Sequence, residues 1–192
     1  MTAFDGKDEL HGYLRGARET LVWKLEGLSA YDIRRPLTPT GTNLLGLVKH
    51  GTATHLGYFG EVLGRSSEAH GARFSGNAGP AAEFWATPEE SRADIVDGYR
   101  AAWDFSDATI RELPLDAVGR VWWWGDDPVT LHHVMVHVTA DTQRHAGHAD
   151  IIRELIDGSV GMLEGVDNLH IRDAAEQQRF RDQVEAAAAQ FR

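Results

Sequence analysis

The sequence predicts an all-α protein, a four-helix bundle over residues 1–160 with a C-terminal helical extension over 161–192. Three observations lead there. Apolar residues recur every three or four positions through most of the chain, the period of an amphipathic helix. Stretches rich in Pro, Gly and Ser separate these periodic segments. The 192 residues are enough for one domain with a real core, or for one domain and an extension.

The first helix covers about residues 7–28, where Leu10, Leu14, Ala17, Leu21, Leu25 and Leu28 form one stripe. "SAYDIRRPLTPTGT" then interrupts the period with Pro36 and Pro39. Thr42 is read as the N-cap of a second helix running to about Gly64 and carrying "NLLGLVKHGTATHLGYFGEVL". "GRSSEAHGARFSGNAGP" has no period and reads as a long flexible loop; it lacks the GxxxxGK[ST] pattern of a phosphate cradle. In "TPEE", Thr87 at N-cap, Pro88 at N1 and Glu90 at N3 read as a capping-box start for a third helix, which Pro114 stops after about Glu112. "LDAVGRVWWWGDDPV" is read as a connection. Asp127 or Thr130 opens the fourth helix and Gly158 closes it. "RDAAEQQRFRDQVEAAAAQ" forms the final helix.

Composition narrows the function. The net charge is −10 without a cluster of Lys or Arg, which argues against binding a phosphate backbone, so no nucleic-acid partner is expected. There is no cysteine, hence no disulfide, thiolate ligand or cysteine nucleophile. The first residues lack the pattern of a signal peptide, and no apolar run reaches the roughly 18 residues of a membrane span. The expectation is a cytoplasmic protein with no membrane partner.

The fourth helix carries an anomaly. Leu131, Val134, Val138, Asp141, His145, His148, Ile152 and Leu155 follow a seam of alternating three- and four-residue steps, apolar at both ends and polar in the middle. His137 lies one position off the seam but in register with Asp141. Burying a carboxylate without a partner costs several kcal/mol, so the seam requires partners. On the second helix Leu47, His50, Thr54 and Tyr58 share a face, which points His50 inward. His55 lies about 140° around that helix and should face elsewhere. His50, Asp141 and His145 then form a two-imidazole, one-carboxylate set suited to Zn²⁺, Ni²⁺ or Fe²⁺, with coordination positions left open. The alternative is an Asp–His pair that only hydrogen-bonds. His148 is read as a hydrogen-bonded group behind the ligands, or as a further ligand. Trp122, Trp123 and Trp124 are read as packing, or as the rim or lid of an apolar pocket. Arg144 is either solvent-exposed or placed to reach an anionic substrate. His11, His70, His132, His133 and His170 are expected on the surface or in loops.

At "NLLGLVKH" (43–50), "WATPEE" (85–90) and "DTQRHAGHADIIRELIDG" (141–158) the chain resembles the DinB/YfiT-like superfamily of metal-binding four-helix bundles. The order and separation of these motifs match over about residues 7–160, most closely in an actinobacterial branch known mainly as a domain of unknown function. The family pattern puts one ligand histidine at the end of the "LVKH"-like motif, on His50, and two more ligands in a [HED]-x-x-x-H motif, on Asp141 and His145. Asp141 departs from the pattern, since relatives more usually carry Glu or His. Relatives include mycothiol-dependent maleylpyruvate isomerase and bacillithiol S-transferases. The resemblance therefore implies a divalent metal, a low-molecular-weight thiol cosubstrate such as mycothiol, and a small electrophile. The implied activity is an S-transferase or isomerase, with Tyr58 or His148 orienting groups around the metal. Metal-dependent hydrolysis is one alternative; a non-catalytic, stress-associated protein with a structural metal is another. Bundles of this kind pair through an exposed helix face, so a homodimer is the expected state.

Overall fold

Each helix begins where a short polar side chain accepts a hydrogen bond from a free N–H of the first turn. In the computed structural model, which describes residues 5–66, 79, 81–167 and 169–192, Asp5 caps α1 (Gly6–Trp23) and Asn43 caps α2 (Leu44–Phe59). Ser91 caps α3 (Arg92–Glu112), Thr130 caps α4 (Leu131–Asp157) and Asp173 caps α5 (Ala174–Ala189). The mainly helical bundle expected from the periodicity is present. No helix among the described residues is long and apolar enough to cross a membrane.

Several boundaries differ from the reading of the sequence. α1 ends at Trp23 rather than near residue 28, because Arg153 of α4 donates to the carbonyls of Lys24 (3.0 Å) and Glu26 (2.7 Å) and Gly27 turns the chain at φ +74°. Asn43, not Thr42, caps α2, and beyond Phe59 only a 3₁₀ turn, Glu61–Leu63, continues toward Gly64. "TPEE" makes a single turn: the Glu90 carboxylate accepts from the Thr87 N–H at 2.8 Å but is also taken by Lys49. The helix starts four residues later, where Ser91 accepts from the Asp94 N–H at 3.1 Å. Most of the loop read over residues 64–80, with His70, lies outside the described residues.

The connection before α4 contains a hairpin. β1 (Val118–Arg120) pairs antiparallel with β2 (Pro128–Thr130), Gly119 opposite Val129. Three-residue strands are too short to show alternation. The hairpin sits on the 3₁₀ turn so closely that a Cβ on Gly119 would lie 2.3 Å from the Val62 carbonyl oxygen.

Contacts divide the chain into two compact units, Met1–Val160 and Gly161–Arg192. The second unit carries an isolated Leu163–Val166 bridge and α5, of which no residue is buried. In the first, α1 packs on α4, and α2 packs on both α3 and α4. The apolar core falls into two clusters, one around Leu21, Leu25, Val48, Ile95 and Ile152, the other around Leu14, Phe59, Ile110, Leu131 and Val138. Between them along each helix lie polar residues: Arg18 on α1, His50 to His55 on α2, Ser106 on α3 and Asp141 to His145 on α4. The candidate site belongs to this layer.

The seam of α4 also differs at its far end. Leu155 is 69% exposed and His148 is exposed, while Ala149, Ile152 and Arg153 are buried. An α-helix has 3.6 residues per turn, so a strict heptad stripe drifts about 20° around it each repeat. Two heptads beyond Asp141 the stripe has left the core.

Candidate metal centre

His50 comes from α2, and Asp141 and His145 stand one turn apart on α4. One ligand atom from each lies within 4.8 Å of the others. His145 Nε2 is 3.4 Å from Asp141 Oδ1, and His50 Nε2 is 3.9 Å from Asp141 Oδ2. Two ligands about 2.1 Å from one tetrahedral ion stand about 3.4 Å apart, so the spacing and the borderline-soft donor set fit a divalent cation. All three side chains are part-buried, at 16%, 30% and 16% exposure for His50, Asp141 and His145. Burial pushes the Asp141 carboxyl up, but the neighbouring His145, His50 and His137 outweigh it and hold it below its ordinary value.

His50 is clamped by residues that no local sequence pattern announced. The Phe84 ring stacks on its imidazole at 4.2 Å between centroids and 20° between planes. Glu83 Oε1 stands 3.4 Å from Nδ1, an ion-pair distance without hydrogen-bond geometry. Thr54 Oγ1 is 3.2 Å from Nε2. The Glu83–Phe84 turn is in turn docked on α2: Asn43 Nδ2 donates to the Phe84 carbonyl at 3.0 Å, and a Cβ on Gly46 would fall 1.9 Å from that oxygen. On the α2 side Asn43 and Gly46 make this contact, and Asn43 also caps the helix.

Among the described residues, two pockets reach the set. One, of about 360 Å³, touches His50 and is lined also by Thr54, Tyr58, Glu61, Glu83 and Trp123. The other, of about 240 Å³, touches His145 and His148 and is walled by Thr40 to Asn43, Leu47 and Phe84. The three tryptophans separate. Trp123 lines the larger pocket, its ring 5.4 Å from that of Tyr58. Trp124 packs edge-on against His137 at 4.5 Å, and Trp122 is 68% exposed and lines neither pocket. Arg144 is exposed and lines neither pocket. The His148 ring stands 5.6 Å from that of His145; burial and then the neighbouring His145 and Arg144 lower its pKa. Burial raises that of the Tyr58 phenol.

His55 faces away from this set, as the helical arithmetic requires, and is fully buried. Its Nδ1 is 3.0 Å from Ser106 Oγ, whose single proton goes to the Ala102 carbonyl. The ring must therefore donate from Nδ1, leaving Nε2 bare and without a partner. Burial foremost, and then Arg18, lowers its pKa well below the usual value. His11 is not the surface residue expected of it. Its Nε2 is 2.8 Å from Asp107 Oδ1, the oxygen that also accepts from buried Arg18 at 2.7 Å. The partner lies on another helix, so no local spacing reveals the pair.

A mainly helical bundle whose second and fourth helices bring two imidazoles and a carboxylate together beside an aromatic pocket belongs to the DinB-like class of proteins. Within it, this chain is a member of the mycothiol-S-transferase family, whose match covers residues 9–158. No individually curated protein matches the chain significantly.

Proposed function

We propose that His50, Asp141 and His145 hold one divalent cation, zinc or, with the same donors, nickel or iron, and that the protein transfers a mycothiol-type thiol to a small electrophile. The observation that carries this reading is the convergence of three metal-type donors, His50 lining one pocket and His145 another, in a chain without cysteine that belongs to a thiol-transferase family.

A bound divalent cation lowers the pKa of a thiol beside it and so supplies thiolate at neutral pH. The chain's residues do the rest. Phe84 and Glu83 fix the plane of the His50 ring, as partners of a ligating histidine commonly do. His148, kept neutral by its lowered pKa, offers an acceptor for the proton that the thiol loses. Tyr58, with its raised pKa, stays protonated and, with Trp123, shields the larger pocket from water. Among the described residues the donor set has three members and does not include His148. Three protein ligands leave a position open, which favours catalysis over a structural ion.

The test is conjugation of a fluorogenic haloalkyl electrophile by the purified protein, with a panel of thiols and with the metal present or removed by chelation. The reading predicts turnover with mycothiol that disappears with the metal and in His145→Ala. Equal rates with and without metal for every thiol would sink it.

A further inference from the structure

α4 carries a second pattern, on the side turned away from the core. Gln143 and Arg144 stand at its middle, followed outward on the two sides by Ala140 and Gly147, then Val136 and Ile151, then His133 and Glu154. The spacing reads the same from either end. At a step of about 100° per residue these side chains fall within about 50° of one line along the helix. All are exposed, while Val134, Val138 and Ile152 on the opposite side are buried. Three of them are poor choices for a helix surface in water. Val136 and Ile151 are β-branched and 43% and 62% exposed. Gly147 weakens a helix interior, yet its φ is not left-handed, and among the described residues nothing lies within 4 Å of a Cβ placed on it. Within a single chain alanine would serve better there; glycine leaves room for another backbone. The stripe also balances one Arg against one Glu, on a chain of net charge −10.

We propose that this face of α4 binds a second copy of the chain, the two α4 helices lying antiparallel and crossing at Ala140 and Gly147. In a twofold contact residue i meets residue j and j meets i. An antiparallel pair centred between Gln143 and Arg144 does this for every member of the stripe. Ala140 meets the partner's Gly147, where small side chains let the helix axes approach closely. Val136 meets the partner's Ile151, an apolar pair on each side of the crossing. At the ends the His133 imidazole N–H donates to the partner's Glu154 carboxylate, and at the centre the Arg144 guanidinium donates to the partner's Gln143 amide oxygen. Among the described residues neither the Arg144 nor the Glu154 side chain makes a hydrogen bond or ion pair within the chain, so both are available. A parallel pair would instead set Arg144 against Arg144 and Glu154 against Glu154, and like charges facing each other are costly. Asp141 and His145 lie about 110° and 150° around the helix from this line, so the proposal depends neither on the metal nor on thiol transfer.

Sedimentation velocity of the full chain between about 1 and 100 µM, the range of a dimer of moderate affinity, should show a mass that rises to that of two chains. Ile151→Asp should raise the dissociation constant by about tenfold or more, as the loss of a central apolar anchor does. The residue is exposed, so circular dichroism should be unchanged. The register has its own test, because the chain has no cysteine. Oxidation of the double variant Val136→Cys with Ile151→Cys should link two chains, since each thiol faces its mate on the partner. Neither single variant should do so: in this register the two copies of position 136 stand about 22 Å apart along the axis, as do the two copies of 151. A chain that stays monomeric at about 100 µM leaves the face to another occupant and overturns the proposal. So does a dimer that Ile151→Asp leaves intact, and so does a single-cysteine variant that cross-links as fast as the double one.

Discussion

Gly51 of α2 lies against the ring of Tyr99 of α3: a Cβ on Gly51 would sit 2.6 Å from Cε2 and 2.7 Å from Cζ. The glycine follows His50 in sequence, so this contact sets how deeply the ligand-bearing turn enters the bundle. Alanine in a helix interior is normally better than glycine by about 1 kcal/mol. Here Tyr99 is fully buried and cannot give way, and overpacking typically costs about 1–3 kcal/mol. Gly51→Ala should therefore destabilise the protein by roughly 1–2 kcal/mol. Gly147→Ala on α4, where nothing lies within 4 Å of the new carbon, should stabilise it by about 0.5–1 kcal/mol. Urea unfolding of both variants decides; a Gly51→Ala protein as stable as the parent would refute the close approach.

Metal analysis of the purified chain should find about one divalent ion per molecule, since the described residues supply a single three-donor set. His50→Ala, Asp141→Ala and His145→Ala should each reduce occupancy sharply. His55→Ala should keep the ion but lose about 2–4 kcal/mol of stability, the usual range for emptying a buried site. Equal metal loss in His50→Ala and His55→Ala would place the site on the wrong face of α2.

How legible this was depended on how local each cause is. His50, Asp141 and His145 could be read because a helix maps spacing onto direction, and the same arithmetic turned His55 away from them. Extending a heptad from Val138 to Leu155 failed because the drift of a straight helix accumulates. Glu83 and Phe84 were invisible, since a residue following an irregular loop has no spacing to argue from. Asp107 and His11 meet across 96 residues, and nothing near either announces the other. The Trp122 to Trp124 run showed that rings must be accommodated, but which one would line a pocket depended on the three-residue strands flanking it.

Glu83 should tune the centre without binding the ion. Glu83 Oε1 stands 3.4 Å from His50 Nδ1, and a carboxylate charge at that distance favours the Nδ1–H tautomer and raises the basicity of Nε2. Glu83→Gln should weaken metal affinity by about 10–100-fold, the usual effect of losing such a partner. Phe84→Ala should weaken it too by freeing the ring, which now stacks at 4.2 Å. Competition against a chromophoric chelator measures both. Nitrogen NMR of the His50 ring adds a readout that a purely structural role would leave unmoved. Unchanged affinity and an unchanged tautomer in Glu83→Gln would show that the pair is incidental.

Stability should fall in two separate steps as the solution is acidified, the upper one led by His55 and the lower one shared by ion-paired carboxylates. His55 has a pKa lowered well below its ordinary value by burial first and by Arg18 second. The unfolded chain therefore takes up this proton before the folded one. The stability it contributes is complete above about pH 6.5 and declines below it, by at most about 1.4 kcal/mol per pH unit. His137 and His148 shift the same way, chiefly through burial, but from more exposed positions. Asp107 contributes to the lower step together with Asp157, whose carboxyl its hydrogen bonds to Arg153 also bring to about 2. Burial raises the Asp107 pKa, but His11 and Arg18 outweigh that and bring it to about 2. Its contribution is present above about pH 4 and is lost as pH falls toward 2, a loss of about 2 kcal/mol given the usual carboxylate value. Urea denaturation between pH 8 and 2 should show both slopes, conditions chosen around about the ordinary histidine and aspartate pKa values. His55→Leu fills much the same space and leaves Ser106 its bond to Ala102, so it should fold and lack most of the upper slope. Asp107→Asn should be less stable at neutral pH, because it strands the buried Arg18, and should show a shallower lower slope, with Asp157 supplying part of what remains. An upper slope that survives in His55→Leu would move its origin to the histidines around Asp141.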